Sequence, residues 1–282
     1  MPRQHGLDGA PDALQILSYA VFAVLVLSFA LLIGPALPAA AMPGVAGAYV
    51  VVTACLVLSA AMATRISTTD PSVVNRSVPR HAMTTTMIQE RQRASQDAPD
   101  CRWCPYCVWP VHISSKHCRS CDKCTLQFDH HCRWINNDVG GPNYQAFIAQ
   151  LVSAAAQTAL HSTLGVYVLA SGPSPSSHAT QPVLIPILTG ASTAIAAIVL
   201  ILILHLIALH IFLARLRMTT YEYIVQRRSY SSGNAHQHES LLCPCRVATR
   251  VYNHPEPPAQ PQAQTAPEPY QTGNGAAESV GP

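Results

Sequence analysis

The densest chemistry in the chain lies at Asp129-His130-His131-Cys132, where an acid, two imidazoles and a thiol follow one another. A thiol attacks as its thiolate, and a nearby imidazole can take its proton or hold the thiolate as an ion pair. His130 stands in that relation to Cys132, and Asp129 is placed to orient and charge-stabilise the imidazole. The tetrad can also be read as metal ligands, although four consecutive residues do not readily surround one ion. Donors for metal are plentiful just upstream, in Cys104-x2-Cys107 and His117-Cys118-x2-Cys121-x2-Cys124, with His131 beyond them. Zinc takes four thiolate or imidazole donors in a tetrahedron, and a two-residue spacing lets one turn present a pair. Together these residues are nearly enough for two zinc sites.

Such a loop must be held by something, and what flanks it is apolar. Of 282 residues 49% are hydrophobic and only 11% charged, less than half the usual charge of about 25%. Four stretches lack Asp, Glu, Lys and Arg altogether: Leu14 to Ile33, Val45 to Ala63, Ala146 to Ala170 and Val183 to Leu213. Each reaches the ~20 helical residues that cross a hydrocarbon core, so four transmembrane helices are predicted. The first is too long for the core of a signal peptide and leads through Gly34 to Gly44 into the second. Pro186 and Gly190 are poor helix residues, so the membrane part of the fourth is expected to start near Ala191 after an interfacial turn.

Basic residues set the expected orientation. Arg3 precedes the first span, ten Lys/Arg lie from Arg65 to Arg133 and six from Arg215 to Arg250, which accounts for all 17. The connections Gly34 to Gly44 and Ser171 to Pro182 have none, so both termini and the central loop are expected on the cytosolic side. A reducing cytosol disfavours disulfides, which turns the seven cysteines between Cys101 and Cys132 towards metal or catalysis. It would also leave the glycosylation acceptor Asn75-Arg76-Ser77 unused. A net charge of +3 gives no argument for nucleic acid. An ion or small-molecule transporter would need charged groups within the spans, and those stretches carry none.

The chain therefore divides into a lead and first transmembrane hairpin (1–63), a polar linker (64–100) with a surface helix expected near Thr84 to Arg93, and a Cys/His block (101–145). A second hairpin (146–213), a basic C-terminal region (214–254) and a Pro/Gln-rich tail expected to be disordered (255–282) follow. No internal repeat is read beyond the two hairpins. The fold class is all-α and polytopic, with a two-zinc Cys-rich domain, irregular and rich in β-hairpins, between helices 2 and 3.

The motifs and their order resemble the DHHC family of protein S-acyltransferases (palmitoyltransferases). The resemblance rests on Cys104-x2-Cys107, His117-Cys118-x2-Cys121-x2-Cys124, Asp129-His130-His131-Cys132, Trp134-Ile135, Asn137, Val139-Gly140, Asn143 and Phe147. Asp70-Pro71 and Thr219-Thr220-Tyr221-Glu222 look like the family's two flanking motifs. The resemblance implies that Cys132 takes a long-chain acyl group from acyl-CoA and passes it to cysteines of proteins at the cytosolic membrane face, with Asp129 and His130 as the acid and base pair. It also implies two structural Zn2+ ions, one on Cys104, Cys107, His117 and Cys124, the other on Cys118, Cys121, His131 and residue 138. The implied partners are palmitoyl-CoA, membrane-associated protein substrates and the bilayer, with no nucleic acid. The implied location is a multi-pass position in an endomembrane (Golgi or ER) or the plasma membrane.

Two positions depart from the family pattern. Ser72 follows Asp70-Pro71 where glycine is common, a change in a polar linker. Residue 138 is Asp where the pattern has the last cysteine ligand. A carboxylate is a harder donor than thiolate, so Asp138 is read as a serviceable ligand of a weaker site; in the rival reading it faces solvent, and water, Cys101 or His112 completes the shell. A catalytically impaired, zinc-braced membrane adaptor is the alternative function, opposed by the intact tetrad.

Smaller signals complete the reading. Lys116, Arg119 and Arg133 are candidates for the phosphates of CoA, although a positive-inside surface predicts the same charges. His161, His205 and His210, inside the apolar stretches, are expected near helix ends or in interhelical hydrogen bonds. Thr219 or Thr220 is expected to bond Asp129 by the same resemblance. Cys243 and Cys245 could themselves be acylated, and Cys55 is read as a small core residue.

Overall fold

A computed structural model describes residues 3–75, 80–171 and 183–231. The acceptor at residues 75–77, the second polar connection, the tail cysteines and the Pro/Gln-rich tail fall wholly or mainly outside the described residues. Helix α1 (Ala13–Ser28) is capped by the Asp12 carboxylate, which accepts from the Leu14 N–H at 2.9 Å. It continues as a π turn (Phe29–Ile33) and a 3-10 turn (Gly34–Ala36) that ends against Pro35. Helix α2 (Met42–Arg65) returns antiparallel, and α5 (Tyr144–Ser171) and α6 (Leu184–Arg215) form the second pair. Between the pairs lie the short α3 (Pro71–Val74) and the linker helix α4 (Thr85–Asp97), capped by Thr84. Helix α7 (Thr220–Ser231) follows the second pair.

Among the described residues three segments are long and apolar enough to cross a membrane by length and composition: Ala13–Ala36, Met42–Arg65 and Leu184–Arg215. Their apolar side chains stay uncovered, with Leu31 71%, Val50 65% and Ile201 66% exposed, as lipid-facing residues would be. Four spans were expected, and α5 differs from the other three. It has the length, 28 residues, but its buried stripe of Phe147, Leu151, Ala154, Thr158, His161, Gly165 and Val168 alternates steps of four and three. That spacing is the seam of a helix packed among helices. It faces α2 and α6, and it carries polar groups: His161 meets the Tyr49 hydroxyl at 3.1 Å and Ser192 at 3.3 Å, and Thr53 donates to Gln157 at 3.0 Å. Those polar residues lower its apolar content. At Gly165 a Cβ would collide with Thr193 of α6, so the glycine sets the close approach of the two helices.

The expected break in the last helix is corrected. Helix α6 runs without interruption from Leu184 through Pro186 and Gly190. Pro186 lies in its first turn, where the missing N–H has no intrahelical partner to lose.

The all-α class is also corrected, because the Cys/His block forms three antiparallel two-stranded hairpins: β1 (Cys101–Cys104) with β2 (Trp109–His112), β3 (Lys116–Cys118) with β4 (Lys123–Thr125), and β5 (His130–Cys132) with β6 (Asn137–Val139). Each loop ends on a left-handed residue, Val108 (φ 52°), Asp122 (φ 49°) and Asn136 (φ 52°). The repetition is in the sequence too: Cys104, Cys118 and Cys132 recur every 14 residues, and Cys107, Cys121 and Ile135 follow them in step. Such short strands bury little and cannot stand alone.

Buried polar groups tie the hairpins to the helices. Asp70 is 1% exposed; it accepts from the Ser72 and His112 N–H groups, each at 2.9 Å, and from the Ser115 hydroxyl. Asn143 donates to the Ala63 carbonyl at 3.0 Å, and the Asn137 amide lies within 3.2 Å of the carbonyls of Ala63, Thr64 and Ile66. These are the last carbonyls of α2, which have no partner within the helix. The third hairpin is thereby fastened to the end of a membrane helix.

Candidate active site and metal centres

The repeat explains how the donors meet. Cys104 and Cys107 of the first hairpin join His117 and Cys124 of the second, and Cys118 and Cys121 of the second join His131 and Asp138 of the third. Within each group the donor atoms lie within 4.8 Å of one another. In the first, Cys107 Sγ is 3.6 Å from Cys124 Sγ and 3.4 Å from His117 Nδ1. A tetrahedron of zinc–sulfur bonds has edges of about 3.8 Å, so the donor set fits a bound ion. The electrostatics of the thiols favour a cation as well. Without one, hydrogen bonds from Cys107 and Cys124 draw Cys104 down to about 2, and Cys104 in turn pushes Cys107 up to about 11. One thiolate suppresses the next unless a positive charge lies between them.

Asp138 occupies the repeat position of Cys124, and it points inward. It is fully buried, with Oδ1 2.8 Å from His131 Nδ1 and 3.3 Å from Cys121 Sγ. Its other oxygen accepts from the Thr125 hydroxyl at 2.7 Å, which fixes the carboxylate so that Oδ1 faces the donors. The solvent-facing alternative is thus at odds with the burial. Cys101 and His112 pair with each other on the first hairpin and join neither group.

Cys132 stands where Cys104 and Cys118 stand in the earlier repeats, but Ile135 replaces its companion cysteine. Its thiol is the half of a knuckle left without a metal partner. It is 7% exposed and packs with Ala63, Val139, Ala146, Phe147 and Leu151, with Ile203, Leu206 and Ile207 of α6 alongside. His130 bonds the Asp129 carboxylate through Nδ1 at 2.7 Å and lies close enough to Cys132 for the thiol to bear on its charge. Burial would lower the His130 pKa, but Asp129 and Cys132 outweigh it and hold it up at about 9. At neutral pH the ring is therefore an imidazolium able to stabilise a thiolate.

Asp129 is held in turn by α7. Thr219 and Glu222 form a reciprocal capping box, the Thr219 N–H donating to Glu222 at 2.8 Å and the Glu222 N–H to the Thr219 hydroxyl at 3.1 Å. The next two amides turn to Asp129: Thr220 N–H donates to its carboxylate at 3.0 Å and Tyr221 N–H to its carbonyl at 3.1 Å. Burial alone would raise the Asp129 pKa, yet His130 and Thr220 keep it below the ordinary carboxylate value. Thr219→Ala should therefore loosen the first turn of α7 by about 1 kcal/mol. Amide exchange at Thr220 and Tyr221 would quicken; unchanged exchange would mean that the cap contributes nothing.

Comparison with known proteins agrees with this geometry. Residues 98–227 match the family model described as DHHC palmitoyltransferase. Over this segment the chain is similar to the DHHC family. It is 30% identical over 157 residues to a probable protein S-acyltransferase 20 of Arabidopsis thaliana, covering 51% of this chain and 22% of that protein. It is 32% identical over 158 residues to that plant's probable protein S-acyltransferase 15, covering 54% of this chain and 60% of the relative. Palmitoyltransferase ZDHHC8 of Homo sapiens is 30% identical over 177 residues, 60% of this chain and 22% of that protein. The chain thus spans less than two thirds of each relative's length.

Beside His130 the structure places two residues whose closeness to it the sequence does not foretell. His210 of α6, expected near a helix end or in an interhelical hydrogen bond, makes such a bond with the Tyr144 hydroxyl of α5 at 3.1 Å, and its ring centroid lies 5.9 Å from that of His130. Phe147 meets His130 edge-on at 5.3 Å. Only the chain crossing brings them together, since α6 lies some 80 residues from the tetrad. The candidate phosphate-binding residues do not converge: Lys116 lies over the Tyr221 ring at 5.5 Å, Arg119 donates to the Tyr106 hydroxyl at 3.1 Å, and Arg133 pairs with Asp12 at 2.9 Å.

Proposed function

We propose that this chain is a protein S-palmitoyltransferase that works through an acyl-Cys132 intermediate. The observation that carries the reading is the Asp129–His130–Cys132 array, set against an apolar cluster from α2, α5 and α6. The Cys132 thiolate attacks the thioester carbonyl of palmitoyl-CoA, and the carbon–sulfur bond to CoA breaks. The CoA thiolate leaves with the proton held by His130. His130 then takes the proton of an acceptor cysteine, whose sulfur attacks the acyl-Cys132 thioester, and Cys132 departs as the thiolate. The acyl chain lies among the apolar side chains below Cys132, where burial contributes about 0.8 kcal/mol per CH2.

Both donor groups hold Zn2+, and the ions brace successive hairpins, taking no part in the transfer. Three anionic donors and one imidazole serve each ion, since Asp138 keeps the charge of the thiolate it replaces. Helix α5 crosses the membrane as a fourth span, shielded by α2 and α6, and the positive loop and both termini face the cytosol. Substrate proteins are membrane-associated, and Lys116 and Arg119 supply positive charge for the CoA phosphates. The impaired-adaptor alternative has less support, because the array is assembled and Asp138 is turned into its donor group.

The deciding experiment is transfer of labelled palmitate from palmitoyl-CoA to the purified protein beside Cys132→Ser. Label that hydroxylamine releases, present on wild type and missing from the variant, is expected. Equal labelling of the two would remove Cys132 from the mechanism.

A further inference from the structure

The hairpin that carries Cys132 is gripped on one side by residues 3–12, the segment that leads into α1. Gly6 is buried against the loop that follows Cys132, and a Cβ there would collide with the Ile135 carbonyl and approach Thr64 Cγ2 to 2.9 Å. The Gly6 N–H donates to the Thr64 carbonyl at 2.8 Å, near the end of α2. Asn136, 3% exposed and in the left-handed conformation, finds its side-chain partners in this segment. Its Oδ1 accepts from Arg3 at 2.7 Å, and its Nδ2 donates to the carbonyls of Gly6 and Ala10, each at 3.3 Å. Lys123, with no exposed surface, places its ammonium on the Gln4 carbonyl at 2.9 Å, and the Arg3 N–H donates to Cys121 at 2.9 Å. Asp12 closes the strap with a two-pronged pair to Arg133, at 2.9 and 3.2 Å, in the residue next to Cys132.

A buried amide, a buried ammonium and a site that admits only glycine show a fitted surface rather than a chance contact. We infer that residues 3–12 are a positioning strap for the acyl-transfer site, acting on Cys132 through Arg133, Ile135 and Asn136. The inference rests on the proposed acyl transfer for its kinetic readout. It also changes the reading of Arg133, which holds the loop through Asp12 and is not a contact for the CoA phosphates.

The test compares Asp12→Ala, Arg133→Asp, the exchange Asp12→Arg with Arg133→Asp, and Gly6→Val in the full chain. Two rates are read on each: acyl-enzyme formation from palmitoyl-CoA, and alkylation of Cys132 by iodoacetamide mapped by mass spectrometry. Metal content and melting are followed alongside. Asp12→Ala should slow both rates roughly two- to five-fold, the range an exposed ion pair allows, with KM for palmitoyl-CoA unchanged. The exchange should recover most of the loss seen in either single variant. Gly6→Val, which shifts the loop by about an ångström, should cost acylation about 10²-fold.

Three outcomes overturn the strap. The exchange fails to rescue; or Arg133 variants raise KM alone, which returns Arg133 to the CoA phosphates; or melting falls while both rates per folded molecule hold. If wild type takes no hydroxylamine-labile label, acyl transfer itself is refuted, and the alkylation series still decides the strap.

Discussion

His130→Ala should slow acyl-enzyme formation by about 10²–10⁴-fold while the protein keeps its full complement of metal, the loss typical of a positioned acid or base. The two adjacent histidines make this a sharp test. His130 bonds Asp129 and lies beside Cys132, whereas His131 faces Cys121 and Asp138. In a strand successive side chains point to opposite sides, so one hairpin sends one imidazole to the thiol and the next to the metal group. His131→Ala should accordingly lose metal first and activity in consequence. Asp129→Asn should resemble His130→Ala, since an amide can orient the ring but cannot stabilise its charge. Rapid-quench labelling with metal analysis on the same samples separates the cases. A His130→Ala rate within a few-fold of wild type would remove the array from the mechanism.

What the sequence made legible follows from how local each signal is. Two-residue cysteine spacings and a charge-free run of 20 residues are local facts, and the metal donors and three apolar spans could be read from them directly. Hairpins are expected in the Cys/His block, but no single strand could be placed, because each is three or four residues long and is shaped by its turn, not by its own alternation. The 14-residue recurrence was present in the sequence, but the third copy hides it: Ile135 and Asp138 stand where cysteines stood before. His210 and the strap at residues 3–12 depend on contacts across most of the chain, with Arg3 meeting Asn136 and His210 meeting His130. No periodicity announces such contacts. The continuous α6 was misread for a different reason, because a proline counts against a helix only when an N–H is needed at its position.

The same repeat fixes what should happen at residue 138. Asp138→Ala removes a fully buried carboxylate, one of the four donors of its group, and leaves the Thr125 hydroxyl without its acceptor. Loss of a mere outer partner weakens metal binding by about 10–100-fold, so loss of the donor itself should exceed that. Metal analysis should then find one ion per chain in place of two. Because His131 and Asp138 face each other across β5 and β6, the hairpin that carries Cys132 should loosen and acylation should fall with it. Asp138→Cys tests the opposite direction. Cys124, at the equivalent position of the preceding hairpin, already reaches its group from a matching backbone, so a thiolate at 138 keeps the charge and offers zinc a softer donor. Under a chelator, wild type should release one ion well before the other, and Asp138→Cys should release both late. Thr125→Val should fall between, keeping both ions but shedding the second about 10–100-fold more readily. Two ions retained by Asp138→Ala, with unchanged chelator resistance, would show that the carboxylate holds no metal and that its burial serves His131 alone.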